Sequence, residues 1–171
     1  ISRQSATSSA ICSMPATANR SAPPRSVTAR GKRFVIIASE FHPSLTRALV
    51  RGASDVLRRH GASPRGIRVL WVPGAFELPV VAARVVASRP RPDAVIAVGA
   101  ILRGETLQYE VLAHAVAQGL SQVAVTSAIP VTFGVVVATT LAQAKARAGG
   151  AIGNRGAEAA LAALAVLRLF E

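Results

Sequence analysis

Asp93-Ala-Val-Ile-Ala-Val-Gly-Ala-Ile-Leu-Arg-Gly-Glu-Thr106 runs from an apolar stretch into a glycine-flanked turn, just ahead of a helical pattern that starts near Gln108. Such an uninterrupted Val/Ile/Ala run reads as a strand covered on both faces. A turn and helix placed directly after it leave backbone N–H groups unpaired and pointing outward. At the carboxyl end of a parallel strand, that junction is where open α/β sheets bind anionic ligands, phosphates above all.

The same strand-then-helix pattern extends in both directions. Phe34 to Ser39 is a short apolar run ending at Glu40-Phe41-His42-Pro43, after which Ser44 is expected to cap an amphipathic helix to about His60, with Gly61 as its stop. Ile67 to Val72 forms the second strand, closed by Pro73-Gly74, and Ala75-Phe76-Glu77 opens a helix to about Ser88 that Arg89-Pro-Arg-Pro92 breaks. Asp93 to Ala100 is the third strand, roughly Gln108 to Thr126 the third helix, and Val131 to Val137 the fourth strand. Two final helices, Thr140 to Arg147 and Arg155 to Phe170, flank the loop Ala148 to Asn154. Serial βα units imply right-handed crossovers, so residues 34–171 are expected to form a single three-layer α/β domain with a four-stranded parallel sheet and helices on both faces. Four loops should gather at one sheet edge: Ser39–Pro43, Pro73–Glu77, Gly99–Gln108 and Phe133–Thr139.

Composition agrees. The 171 residues are 51% hydrophobic but only 4% aromatic, so small aliphatic side chains must fill the interior, and the length suits one core rather than two. No apolar run reaches about 18 residues, which argues against a membrane span. The single cysteine, Cys12, cannot form an intrachain disulfide, and a reducing compartment is the simplest reading. No Cys/His cluster has metal-ligand spacing, and no solenoid repeat is present. Of the net charge of +12, half belongs to residues 1–33, which hold six basic and no acidic side chains and leave 14 basic against 8 acidic for the remainder.

Residues 1–33 are rich in Ser, Ala, Thr and Arg, without alternation or a capped helical stripe, and are expected to be a disordered leader. Their make-up matches an organellar transit peptide, with an ordinary flexible tail or translated upstream region as the alternative. Because the chain opens on Ile1, its natural start is expected to lie upstream. A photosynthetic eukaryotic source would place the protein in the plastid stroma, a bacterial one in the cytoplasm.

Each candidate site residue has a plainer reading beside the functional one. Glu77 sits at a helix start, where the dipole stabilises a carboxylate, or it accepts from the hydroxyls of a polyol. Phe41, in a kinked polar loop, is better placed to stack on a planar ring than to fill a core. Arg147 could grip an anion through its guanidinium fork or complement the end of its own helix, and spacing alone favours the latter. Arg103 and His114 read as structural.

Taken together, Ser39-Glu-Phe41, Trp71-Val-Pro-Gly-Ala-Phe-Glu77, Gly99-Ala-Ile-Leu-Arg-Gly-Glu-Thr106, Pro130-Val-Thr-Phe-Gly-Val135 and Arg147-Ala-Gly-Gly-Ala-Ile-Gly-Asn-Arg-Gly-Ala-Glu158 closely resemble, in order and spacing, the motifs of the 6,7-dimethyl-8-ribityllumazine synthase family over about residues 33–171. The resemblance implies a flavodoxin-like fold and condensation of 5-amino-6-ribitylaminouracil with 3,4-dihydroxy-2-butanone 4-phosphate in riboflavin synthesis, without metal or organic cofactor. It also implies pentamers, often twelve in an icosahedral shell, with active sites between subunits. By position, Phe41 would stack on the pyrimidine ring, Ala75, Phe76 and Glu77 would hold the ribityl chain, and Ile101 and Leu102 would line the ring pocket. Glu105 and Thr106 would meet phosphate through backbone groups. Phe133 and Arg147 would come from the adjacent subunit, and Arg155, standing where the family carries Lys, is placed with the substrate-binding residues. With this resemblance the anion reading of Arg147 outranks dipole capping.

One departure bears on catalysis. Gln108 stands where the family carries its proton-transferring His, and a carboxamide cannot act as a general acid or base near neutral pH. Glu110 retains the charge of the neighbouring family Asp. His42, where Asn is common, could partly replace the missing imidazole. The expectation is therefore an active but slow enzyme, with a catalytically silent paralogue, acting as a ligand binder or shell subunit, as the alternative. A nucleic-acid binder, argued from charge alone, is disfavoured because the excess charge lies largely in the leader and stacking aromatics are scarce.

Overall fold

The structure is a computed structural model, described here for residues 28–170. In chain order the elements are β1 (Phe34–Ser39), α1 (Pro43–Arg59), a 3-10 turn (Pro64–Gly66), β2 (Ile67–Val72), α2 (Leu78–Val86), β3 (Ala94–Leu102), α3 (Gln108–Ser127), β4 (Val131–Ala138), α4 (Leu141–Arg147), a small hairpin β5 (Ala148–Gly150) and β6 (Gly153–Asn154), and α5 (Arg155–Arg168). The four long strands pair in parallel in the order β2-β1-β3-β4.

Alternation along the inner strands divides the interior into two layers. Phe34, Ile36 and Ala38 of β1, with Ala94, Ile96, Val98 and Ala100 of β3, pack against α1 and α5. Val35 and Ile37, with Val95, Ala97 and Ile101, face α2 and α3. This is the period-2 consequence of a sheet covered on both sides. It makes the fold the expected flavodoxin-like three-layer α/β domain. β1 is buried throughout and β3 up to its last residue, whereas β2 at the edge is mostly half-exposed.

Small residues set the helix spacing. A side chain at Gly156 would collide with the backbone of Leu49, so α5 lies directly on α1. Asn154 fixes that approach: its Oδ1 accepts from the Ala157 N–H at 3.1 Å as the α5 cap, while its Nδ2 donates to the Ala48 carbonyl at 2.9 Å.

Several boundaries differ from those read in the sequence. His42, not Ser44, is the residue before α1; it adopts a left-handed conformation (φ 56°) and its carbonyl accepts from the Leu45 and Thr46 N–H groups, because Pro43, with φ already helical, occupies the first turn. Ala75 to Glu77 form a turn and α2 begins at Leu78. Phe133 lies inside β4, paired with Ala97, rather than in a loop at the sheet edge. The loop 148–154 holds two short antiparallel rungs, too brief to leave an alternation signal.

Residues 28–33, assigned by sequence to the leader, lie against the domain. Ala29 is fully buried, its N–H donates to the His60 carbonyl at 2.8 Å, and the Arg33 N–H donates to Asp93 Oδ2 at 2.6 Å. Residues 1–27, with Cys12 and most of the expected leader, fall outside the described residues.

Candidate active site

The chain runs from β1 to β2 on one side and then returns past β1 to β3 on the other, so β1 and β3 are neighbours whose connections leave in opposite directions. The carboxyl ends of such a pair open a crevice that no crossover fills. A cavity of about 650 Å³ lies there, walled by the loops after β1, β2 and β3 and by the first turns of α3.

Eight residues expected from the sequence line this one cavity: Phe41, Ala75, Phe76, Glu77, Ile101, Leu102, Thr106 and Gln108. Backbone bonds hold the loops in place. The Glu40 N–H donates to the Val72 carbonyl at 2.7 Å, extending the β1–β2 ladder one residue past the strand, and Thr46 Oγ1 donates to the Phe41 carbonyl at 3.3 Å. After β3, the Arg103 N–H donates to the Ala138 carbonyl at 3.0 Å, so the turn at residues 104–107 leaves from a fixed end. Thr106 Oγ1 accepts from the Gln108 N–H at 3.4 Å where α3 starts.

Phe41 and Phe76 are 64% and 63% exposed, which places two of the five phenylalanines at the rim rather than in the core. Rings this open at the mouth of an apolar cavity are positioned to contact something outside the chain. Glu77 is half-buried at the start of α2.

Other expected residues do not line the cavity. His42 packs edge-on against Phe41, with ring centroids 4.8 Å apart and planes at 77°, and is not among the residues that line the cavity. Glu105 is exposed on the turn. Glu110 lies just outside the wall, where its Oε1 accepts from the Tyr109 hydroxyl at 2.8 Å. That bond, then burial, then the Glu110 charge push the Tyr109 phenol above its usual pKa, against a smaller opposing effect of Arg103. Phe133 is 39% exposed on the edge strand β4. Arg147 ends α4, half-buried, with no ion pair or side-chain hydrogen bond among the described residues. Arg155 pairs with Glu158 at 2.6 Å in a partly exposed bridge, an arrangement that contributes about 0–1 kcal/mol.

Sequence reasoning missed one wall. Tyr109, Val111, Leu112 and Ala115 join Gln108 in lining the cavity, and the signal was available, because positions 108, 111, 112 and 115 fall on one helical face. Among the described residues no group of three or more His, Cys, Asp or Glu side chains is arranged to hold a metal ion, and no helix is long and apolar enough to cross a membrane.

Comparison with known proteins identifies the family. The family described as 6,7-dimethyl-8-ribityllumazine synthase matches residues 31–171. The chain is 48% identical over 141 residues to the 6,7-dimethyl-8-ribityllumazine synthase of Gemmatimonas aurantiaca, covering 82% of this chain and 85% of that one. It is 44% identical over 145 residues to the Thermus thermophilus protein of the same name (85% and 92% covered), and 46% identical over 143 residues to that of Prosthecochloris aestuarii (84% and 92%). With a profile match across most of its length and relatives well above 30% identity over most of both chains, this protein belongs to the 6,7-dimethyl-8-ribityllumazine synthase family.

Proposed function

We propose that this transferase of riboflavin biosynthesis condenses 5-amino-6-ribitylaminouracil with 3,4-dihydroxy-2-butanone 4-phosphate, releasing phosphate and water. The observation that carries the reading is the gathering of Phe41, Phe76, Glu77, Ile101 and Thr106 around one apolar cavity at the β1/β3 crevice. Phe41 stacks on the pyrimidine, Ala75 to Glu77 hold the ribityl chain, and Ile101 and Leu102 flank the ring. The turn at Glu105 and Thr106 receives the phosphate at the start of α3. His42 steadies the Phe41 ring. Enclosing both reactants supplies proximity, worth up to about 7–11 kcal/mol in favourable cases, so the chemistry depends less on a strong acid–base group than most condensations do.

The cavity is open at the Phe41 and Phe76 rim, and Phe133, Arg147 and Arg155 lie outside its wall. These positions suit a site completed by a neighbouring subunit, with Phe133 closing the pocket and Arg147 clamping phosphate, in a pentamer or a shell of twelve pentamers. Arg155 would lie on the substrate side of the same junction. If the source is photosynthetic and eukaryotic, residues 1–33 direct the chain to the plastid stroma; fusion of that segment to a fluorescent protein tests the assignment.

Gln108 favours a second reading, a silent member that keeps the pocket and the assembly but not the turnover. A coupled assay of the chain with both substrates, following product fluorescence while sizing the particle, separates the two. Turnover supports the enzyme. A particle that binds product without forming it supports the silent subunit.

A further inference from the structure

Resting on the condensation proposed above, the geometry points to Tyr109 and Glu110 as a two-link proton relay that does the work of the absent imidazole. Among the described residues lining the cavity, only Glu77 and Tyr109 carry titratable side chains. Glu77 sits on the α2 side of the cavity, at the place suited to a polyol. Gln108 faces the cavity but has no proton to exchange near neutral pH. His42 contacts Phe41 edge-on and does not line the cavity. Proton transfer therefore falls to the Tyr109 hydroxyl, whose ring is fixed against the α2–α3 core and whose O–H already donates to Glu110 Oε1 at 2.8 Å.

A phenol held protonated in this way is a poor phenolate base but a good conductor. In the carbinolamine formed when the substrate amine adds to the ketone, the nitrogen's proton passes to the Tyr109 oxygen as the Tyr109 proton passes to Glu110. The N–H bonding pair becomes the second bond of C=N, and the C–O pair leaves with the hydroxyl. Reversal of the relay returns a proton from Glu110 through Tyr109 to that departing hydroxyl, which leaves as water. Nitrogen has lost one proton, oxygen has gained one, and both side chains end as they began. Charged groups around the phenol are Glu110 and Arg103, with Glu77 on the α2 side of the same cavity.

Steady-state assays of the full chain with both substrates test this. Tyr109→Phe keeps the ring and removes the hydroxyl, and is expected to lower kcat by about a hundredfold, within the range typical of a lost acid–base group, while KM for both substrates and product affinity stay within about twofold of the parent. Glu110→Gln should do the same, and the double variant should be no slower than either single one, because a relay cut at one link is already cut. Equal kcat for Tyr109→Phe and the parent, or losses that multiply in the double variant, overturns the relay and leaves the condensation standing. A parent with no turnover overturns both.

Discussion

The Ser39 hydroxyl occupies the space that a side chain at Gly99 would need. A Cβ built on Gly99 would stand 2.5 Å from Ser39 Oγ and 3.2 Å from Ser39 Cβ, across the β1–β3 junction. Ser39 is fully buried, and its Oγ has no hydrogen-bond partner among the described residues. An unsatisfied buried hydroxyl costs about 1–3 kcal/mol, and overpacking costs a similar amount. Gly99→Ala is therefore expected to lower the urea midpoint by an amount equivalent to about 1–3 kcal/mol, and Ser39→Ala to leave it unchanged or raise it. Combining them should recover part of the Gly99→Ala loss, all measured at one protein concentration because assembly contributes to stability. Strictly additive effects would show that the two residues do not compete for this space.

Gln108→His restores an imidazole to a position that already faces the cavity, two residues before Glu110. The variant is expected to raise kcat by about tenfold or more, since a positioned imidazole titrates near neutrality and glutamine does not. A parent and variant that bind product equally and are both inert would instead mark the silent subunit.

Phe41→Ala and His42→Ala should separate stacking from chemistry. Aromatic contacts are worth about 0.5–1.5 kcal/mol beyond area burial, so Phe41→Ala is expected to raise KM for the ribitylaminouracil several-fold. His42 touches Phe41 edge-on and does not line the cavity, so His42→Ala should raise that KM less and leave kcat close to the parent at every pH. A pH-dependent loss of kcat in His42→Ala would return a proton-transfer role to this imidazole.

The sheet was legible because a buried parallel strand needs no long-range information to be recognised. Phe34 to Ser39 and Ile67 to Val72 have the strand boundaries expected of them, and the Asp93–Thr106 stretch shows its strand and turn ahead of the helix that starts at Gln108. What the residues alone could not show was which side chains meet. Phe133 belongs to an apolar run whose far end reaches the sheet edge, but the pairing of Phe133 with Ala97 sets it five residues earlier. The α1 cap moved because proline conformation outweighed the hydroxyl of Ser44. Tyr109 gave no signal by type, since a lone tyrosine near a helix start is usually packing. Its hydrogen bond to Glu110 is what distinguishes it.

Arg147 lies at the end of α4 outside the cavity of its own chain, so a role in binding phosphate requires it to act across a subunit boundary. Arg147→Ala is expected to lower kcat/KM for the four-carbon phosphate by about tenfold to a hundredfold, the loss of a charge-assisted pair, and Arg147→Lys to recover only part because an ammonium cannot bind bidentately. Location across the boundary has its own signature. An Arg147→Ala subunit keeps an intact cavity, and a Phe41→Ala subunit keeps an intact arginine. Random co-assembly in equal amounts unites the two intact halves at about a quarter of the interfaces of a ring. At substrate concentrations below KM, the mixed particle should therefore turn over faster than either parent assembly, and a rate equal to their average would place Arg147 within its own subunit's site or outside catalysis altogether.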